Sequence, residues 1–238
     1  VSGWIHDNYV GVLDGDQFDE YRRLEADTPI EDIVYSPPIT PSKIICVGRN
    51  YATHAAEHGV DVPEIPMLFL KPPSAVIAHK EGIILPPQSS QVEHEAELAV
   101  IIGRKGRWIK PEDTRAHIFG YTIANDVTAR DLQRRDGQWT RGKGFDTFCP
   151  IGPWIDTEFD PSDALITCKV NQEVRQMAST RDMVFPVEHL VAFASSVMTL
   201  NSGDIILTGT PAGVGILKSG DIIDIEIEGL GVLTNFVE

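Results

Sequence analysis

The sequence predicts a mixed, mainly β fold with a few short helices and a small N-terminal β domain. Short runs rich in β-branched residues recur along the chain, which is typical of strands. From Ile223 to Glu228, apolar and acidic residues alternate strictly, as in a strand with one buried face. The proline-dense stretch 36–41 favours an extended connector. We therefore predict two domains, 1–38 and 39–238.

Composition limits the classes of function. The chain has 238 residues and a formal net charge of −15, which argues against binding to nucleic acid or to an anionic membrane. No apolar run approaches the roughly 20 residues of a membrane span, and we expect no signal peptide. Cys46, Cys149 and Cys168 lack the spacing of a metal site, so we expect buried thiols in a reducing cytoplasm.

The first strands are predicted at Trp4–His6 and Tyr9–Leu13, before the turn signal Asp14-Gly15-Asp16. A short buried strand follows at Lys43–Gly48. The apolar run from Met67 then ends in Lys71, which we expect to be an edge residue with its charge in water rather than an anion contact.

An Ala-rich stretch between these strands predicts a helix that Gly59 ends. His54 and Glu57 lie three residues apart and so share a helical face. A carboxylate beside a histidine orients the ring and raises its basicity, which suits a general base that activates water. An ordinary exposed helical pair has the same spacing.

The most informative stretch is the predicted strand from Glu93 to Gly103. Alternate side chains of a strand share one face, which puts Glu93, Glu95 and Glu97 together. Near a core, such carboxylates repel each other and need a cation, and Mg²⁺, Mn²⁺ and Ca²⁺ all prefer oxygen ligands. The alternative is a solvated strand face without a metal.

Pro111 begins a predicted short helix. A strand from Phe119 then delivers Asp126, which could equally be a helix cap, and a helical turn carrying Arg130 and Gln133 follows. Lys143 lies between two glycines, where the backbone can bring it close to a ligand, although a plain Gly-rich surface loop has the same composition.

The last third of the chain is more regular. Apolar spacing predicts an amphipathic helix over 186–200, ended by Asn201-Ser202-Gly203. A strand at Asp204–Leu207 leads into the Gly-rich loop 208–215, which lacks the G-K-[ST] ending of a nucleotide-binding P-loop. The acidic residues of 221–228 are expected to face water.

These stretches, taken in order, resemble the fumarylacetoacetate hydrolase superfamily over residues 41–238. The motifs that carry the resemblance are Gly48-Arg49-Asn50-Tyr51 with His54 and Glu57, His94-Glu95-x-Glu97-Leu98, Asn125-Asp126-x-Thr128-Ala129-Arg130-Asp131-x-Gln133, Lys143, and Thr208-Gly209-Thr210-Pro211-x-Gly213. The resemblance implies a β-sandwich-like roll, usually in a homodimer. It also implies Mg²⁺ or Mn²⁺ held by Glu95, Glu97 and Asp126, whereas Glu93 matches no family ligand.

The resemblance also implies an enzyme that acts on a small 2-oxo acid through a metal-bound enolate. We expect C–C bond hydrolysis of an acylpyruvate-type substrate, with the site residues in the following roles. His54 and Glu57 activate water, Lys143 stabilises charge or protonates the enolate, Arg130 and Gln133 hold substrate oxygens, and Thr210 with the backbone around Gly209 binds the carboxylate.

Other chemistry fits the same site. The family contains isomerases of the hydroxymuconate and hydroxyhepta-dienedioate type and oxaloacetate-type decarboxylases, so the fold does not decide the reaction. A non-catalytic metal-binding module is a more distant alternative. The helix that bears His54 lies between a Gly-rich entry and a Pro-rich exit, a position that suits a lid.

Overall fold

The computed structural model describes residues 1–57, 59 and 61–238. Within these residues the chain forms 18 strands, four α-helices and four 3₁₀ helices. The strands are β1 (Gly3–His6), β2 (Tyr9–Gly15), β3 (Tyr21–Pro29), β4 (Ile44–Gly48), β5 (Met67–Lys71), β6 (Val76–Ile77), β7 (Gly82–Ile83), β8 (Val92–His94), β9 (Ala96–Ile102), β10 (Ile118–Asn125), β11 (Thr128–Ala129), β12 (Cys149–Asp156), β13 (Leu165–Val170), β14 (Glu173–Ser179), β15 (Ile205–Leu207), β16 (Gly215–Ile216), β17 (Ile222–Ile227) and β18 (Gly231–Val237).

The helices are short and few, which confirms the prediction of a mixed, mainly β fold. The α-helices are α1 (Ala52–Glu57), α2 (Arg130–Asp136), α3 (Thr140–Lys143) and α4 (Val187–Val197). The 3₁₀ helices are Ile30–Asp32, Pro73–Ala75, Pro111–His117 and Thr180–Asp182. The apolar spacing of 186–200 includes Val197, but this last residue of α4 is exposed. His58, within the stretch predicted as helix, lies outside the described residues.

A seven-stranded sheet in the order β5-β4-β15-β9-β10-β12-β6 forms the centre of the fold. One of its faces packs against a five-stranded sheet in the order β14-β13-β17-β18-β7, with contacts between β9 and β13 and between β10 and β17. Leu98, Val100 and Ile102 of β9 lie in this core with Ile223 and Ile225 of β17. Burying each such side chain stabilises the fold by about 1.5–3 kcal/mol.

The opposite face of the central sheet is also buried. Ala99 and Ile101 of β9 lie there, beside Ile205 and Leu207 of β15, in a second apolar cluster. Because both faces are covered, β9 is apolar at consecutive positions rather than at alternate ones. Ile39 and partly buried aromatic side chains complete this cluster.

The N-terminal strands form a separate three-stranded antiparallel sheet in the order β1-β2-β3. Phe18, in the turn after β2, packs edge-on against Phe119 of β10 with ring centroids 5.0 Å apart. This contact joins the small sheet to the second apolar cluster. The predicted domain division at 38/39 stays a prediction.

No helix within the described ranges is long and apolar enough to cross a membrane.

Candidate metal centre and active site

Three carboxylates meet where strands β9 and β10 lie side by side. Glu95 immediately precedes β9, Glu97 is on β9, and Asp126 directly follows β10. The antiparallel register pairs Ala96 with Asn125, and the Asp126 N–H donates to the Glu95 carbonyl at 2.9 Å. One oxygen from each of the three carboxylates lies within 4.8 Å of the other two, and all three side chains are buried. They form the predicted ligand set.

The strand predicted over Glu93–Gly103 is in fact divided at Glu95, between β8 and β9, which belong to different sheets. The Glu95 N–H donates to the side-chain oxygen of Asn125 at 2.9 Å, and the Ala96 N–H donates to that of Gln176 at 3.1 Å. Side-chain amides therefore take the place of a neighbouring strand at this point. At the break, the Glu95 N–H binds a side chain instead of a strand, and the Glu95 carboxylate lines the cavity.

Glu97 is the carboxylate that most needs a cation. It is 1% exposed and accepts a hydrogen bond from the Gly209 N–H at 2.6 Å, but no Lys or Arg in the described part of the chain pairs with it. Burial, together with the neighbouring Asp126 and Glu95, raises its pKa well above the ordinary value. A divalent cation among the three carboxylates would relieve this repulsion, and hard oxygen donors suit Mg²⁺ or Mn²⁺. The residues present thus fit such an ion.

Two buried lysines neutralise the other carboxylates. Lys143 donates to Glu95 at 2.8 Å and to Asp126 at 2.6 Å, and Lys71 donates to the second oxygen of Asp126 at 2.6 Å. Although burial opposes its charge, these two carboxylates raise the pKa of Lys143. The expectation that Lys71 is an exposed edge residue is wrong, because its side chain is fully buried against Asp126.

Arg130 and Gln133, on α2, lie beside the same carboxylates. Arg130 Nε donates to Glu93 at 2.7 Å, one Nη donates to Gln133 at 2.6 Å, and the other pairs with Glu95. Glu93 is therefore buried as the partner of an arginine and lies outside the candidate ligand set. Arg130 orients both Glu95 and Gln133, while substrate binding by Arg130 and Gln133 stays a prediction.

His54 and Glu57 also reach the cavity. His54 is buried, and its Nδ1 lies 3.3 Å from Glu57, so the alternative of an ordinary exposed pair does not apply to the histidine. Burial lowers the pKa of His54, although Glu95 and Glu57 partly oppose this. Glu57 also accepts hydrogen bonds from the Gly213 N–H at 3.1 and 3.2 Å. α1 is thereby held against the Gly-rich loop after β15.

That loop brings Gly209 and Thr210 to the site. Gly209 has φ +94°, and a Cβ there would lie 2.7 Å from the Asn50 side chain, so glycine is required. The Thr210 hydroxyl donates to the Ala96 carbonyl at 2.9 Å and accepts from Gln176 Nε2 at 2.8 Å. Its one proton is thus already used. The Thr210 backbone N–H has no acceptor among the described residues and is the better donor for a bound carboxylate.

These residues surround a cavity of about 430 Å³. Every predicted site residue lines it except Asp126 and Gly209, which lie directly behind Glu95 and Glu97. Lys71 and Gln176 were missed by the sequence reasoning. A lysine ending an apolar strand was the available signal for Lys71, while Gln176, in an otherwise unremarkable strand, offered none.

Comparisons with known proteins agree with this geometry. A family model described as fumarylacetoacetate (FAA) hydrolase C-terminal matches residues 43–238. The human mitochondrial oxaloacetate tautomerase FAHD2A is 47% identical over 232 residues, which cover 91% of this chain and 74% of that protein.

Two solved structures extend the likeness to the fold. A 2-hydroxyhepta-2,4-diene-1,7-dioate isomerase from Mycobacterium marinum superposes with a TM-score of 0.89 at 44% identity, covering 96% of this chain and 86% of that one. A fumarylpyruvate hydrolase from Pseudomonas aeruginosa, in complex with Mn²⁺ and pyruvate, gives 0.79 at 36% identity, covering 84% and 90%. The family model spans most of this chain, and both structures share its fold over more than four fifths of its length, so the chain belongs to the fumarylacetoacetate hydrolase family.

Proposed function

We propose that this protein is a divalent-metal-dependent enzyme that moves a proton on a small 2-oxo acid, interconverting keto and enol forms or shifting a double bond. The observation that carries the proposal is the meeting, in one cavity, of the acidic triad with a buried histidine and a buried lysine. Such a site offers a cation for the substrate's oxygens, a base and an acid.

Glu95, Glu97 and Asp126 would hold the metal ion. When bound, Mg²⁺ or Mn²⁺ supplies a Lewis acid that stabilises negative charge developing on the substrate. Without it, the four buried carboxylates, including Glu93, exceed the buried cations Lys71, Lys143 and Arg130 by one charge. With it, these buried groups together carry one net positive charge, which suits an anionic substrate in a chain of net charge −15.

His54 acts as the base. Its lowered pKa keeps the imidazole neutral near pH 7, and the hydrogen bond between its Nδ1 and Glu57 orients the ring. A neutral imidazole can remove a proton from the carbon beside the keto group. Lys143, held as an ammonium ion between two carboxylates, stabilises the charge that develops on the keto oxygen and donates the proton that completes the enol; the reverse reaction returns this proton to Lys143. The Thr210 backbone N–H holds the substrate carboxylate.

Relatives support proton transfer as the first candidate. The human oxaloacetate tautomerase and the mycobacterial isomerase are 47% and 44% identical to this chain. A tautomerase and an isomerase of this kind move a proton or a double bond, with no bond between carbons broken.

Hydrolysis of a C–C bond, the reaction expected from the sequence, is the second candidate. The fumarylpyruvate hydrolase complex with Mn²⁺ and pyruvate favours it, although that enzyme is only 36% identical. In this case His54, oriented by Glu57, would remove a proton from a water molecule rather than from carbon, and the activated water would attack the distal carbonyl.

The decisive experiment follows the ultraviolet absorbance of enol-oxaloacetate as it converts to the keto form, with Mg²⁺, with Mn²⁺ and with chelator. NMR of the products from oxaloacetate and acetylpyruvate runs in parallel. We expect metal-dependent acceleration of the keto–enol exchange at unchanged substrate mass, and a loss of at least 100-fold in H54Q.

Arg135→Gln serves as the control, because Arg135 is exposed and does not line the cavity. Pyruvate plus a second acid from acetylpyruvate, with no effect on tautomerisation, would establish hydrolysis instead. A rate that chelator leaves unchanged would contradict the metal-dependent proposal altogether.

A further inference from the structure

The outer part of the cavity contains charge that the proposed chemistry does not use. Arg49 and Arg134 line it together with Trp139. Within the described residues, neither arginine forms an ion pair, whereas Arg130 and Lys143, deeper in the cavity, are each paired with buried carboxylates.

Arg49 is held in a backbone conformation that favours glycine. Its φ is +62°, in the left-handed region that side chains with a Cβ rarely adopt. It directly follows β4, so the turn carries the side chain from the sheet edge into the cavity. A strained arginine at a position where glycine would relieve the strain suggests that the side chain itself is used.

Aromatic side chains support this arginine. The Arg49 guanidinium lies 6.0 Å from the centroid of the Trp139 ring, and Phe69 packs edge-on against the same ring at 5.0 Å. A Cβ on Gly48 would come within 3.0 Å of Trp139, so a glycine before Arg49 makes room for the indole. The result is a rigid platform on which a planar guanidinium is positioned.

Arg134 lines the cavity from α2. It lies four residues after Arg130 on α2, on the same helical face and about 6 Å further along the axis. Arg130 contacts the inner carboxylates, and Arg134 is exposed at the rim of the cavity. The two arginines of the rim thus come from separate elements and line the same opening.

We infer that Arg49 and Arg134 form a second anion subsite that binds the distal carboxylate of a dicarboxylic 2-oxo acid. This inference rests on the proposed function, which places the 2-oxo acid end of the substrate beside the metal triad and the Thr210 backbone N–H. A guanidinium matches a carboxylate through two parallel hydrogen bonds, so a planar distal carboxylate fits these groups better than an apolar tail does. A cavity of about 430 Å³ has room for a chain of five to seven carbons.

The test compares ligands of matched length. Calorimetry in Mg²⁺ measures the Kd of 2-oxoadipate, which has a distal carboxylate, and of 2-oxohexanoate, which lacks it. We expect the wild-type protein to bind 2-oxoadipate at least 10-fold more tightly. Arg49→Gln and Arg134→Gln each remove most of that preference and leave the Kd of 2-oxohexanoate unchanged.

Two further variants make the result specific. Arg135→Gln, the neighbour of Arg134 that does not line the cavity, should keep the full preference. Arg49→Gly should lose the preference without any fall in Tm, because glycine accepts a φ of +62°.

Equal wild-type affinities for the two acids would overturn the subsite and leave the proposed function standing. Arginine variants that weaken both ligands alike would also overturn it, since the residues would then act only through structure. Failure of both acids to bind would overturn the proposed function, and the subsite with it.

Discussion

Two stretches of the chain carry acidic residues at every second position, and the fold buries one set and exposes the other. In β17, Ile223 and Ile225 are buried while Glu226 is exposed, so its acidic face meets water as predicted. In β8–β9, Glu93, Glu95 and Glu97 are 5%, 4% and 1% exposed. Spacing alone therefore does not distinguish a solvated face from a site. The neighbours of each strand decide it.

The neighbours differ in charge and in access to water. Around Glu95 and Asp126 lie the ammonium groups of Lys71 and Lys143, with side chains at most 2% exposed. Beside Glu226 lies Lys169, 3.6 Å away and 39% exposed. Removing one partner of a buried ion pair costs about 3–5 kcal/mol, whereas an exposed pair contributes about 0–1 kcal/mol.

The largest expected effect is therefore on stability, from Lys71→Met. The change leaves Asp126 without one of its two buried cations, and we expect the metal-free protein to lose about 3–5 kcal/mol of unfolding free energy. Lys169→Met is the matched change beside the exposed Glu226, and it should lower the free energy of unfolding by less than about 1 kcal/mol. Chemical denaturation of both variants with chelator present measures the difference.

The double variant K71M/D126N tests the cause. It removes both charges of the pair, so it should recover a large part of the loss seen in K71M. Equal destabilisation by K71M and K169M would show that burial does not explain the difference between the acidic residues of β8–β9 and those of β17.

Metal affinity gives the next effect in size. Glu97→Gln removes a ligand oxygen charge, and we expect Mg²⁺ or Mn²⁺ to bind at least about 100-fold more weakly, or about 3 kcal/mol. Because burial and its acidic neighbours raise the pKa of Glu97, its charged form opposes folding without metal. Metal-free E97Q should thus be as stable as the wild type or more stable.

Glu226→Gln is the control, and it should leave both affinity and stability unchanged. Thermal unfolding with and without Mg²⁺ reads both predictions at once, since a ligand that binds only the folded state raises Tm. An increase in Tm with Mg²⁺ in E97Q equal to that in the wild type would remove Glu97 from the ligand set.

These contrasts also mark the limit of what the sequence could predict. The strands β4, β5, β10, β15 and β17 and the helix α4 were predicted, because β-branched runs and local spacing carry that information. The meeting of Asp126 with Glu95 and Glu97 was expected only from the resemblance to the family, since spacing along one strand cannot place a residue about 30 positions away. The break at Glu95 was not predicted, since it depends on Asn125 and Gln176, which lie 30 and 80 residues away from the backbone groups they bind.

The shortest strands were not predicted from the sequence for a related reason. β6 and β7 have two residues each and exist only because they pair with β12 and β18. A two-residue run has no periodicity to detect. Lys71 was assigned to water for the same local reason, because its partner Asp126 lies 55 positions further along the chain.

The pH dependence of activity is expected to report the pKa of His54, which burial lowers and the buried carboxylate of Glu95 raises. Only the neutral imidazole of His54 can accept a proton, so activity falls as the pH drops through its pKa. Burial lowers this pKa below the ordinary 6.5, with Glu95 pulling in the opposite direction. In metal-saturated enzyme, we expect the acid limb of the kcat profile to have its midpoint below pH 6.5 and to disappear from the residual activity of H54Q. An acid limb centred above 6.5 would contradict the burial of the base.

The smallest expected effect is the coupling between Lys169 and Glu226. Both side chains are exposed, and the Lys169 ammonium lies 3.6 Å from the Glu226 carboxylate. A double-mutant cycle with K169M and E226Q should therefore give a coupling free energy of about 0.2–1 kcal/mol at low ionic strength. In 1 M NaCl the Debye length falls to about 3 Å, and the coupling should vanish. The buried pair of Arg130 and Glu93, measured by the same cycle, should keep most of its coupling, because solvent ions do not reach it. A salt-resistant coupling between Lys169 and Glu226 would mean that solvent screening does not weaken the exposed pair. Exposure to water would then not explain the difference between the acidic residues of β17 and those of β8–β9.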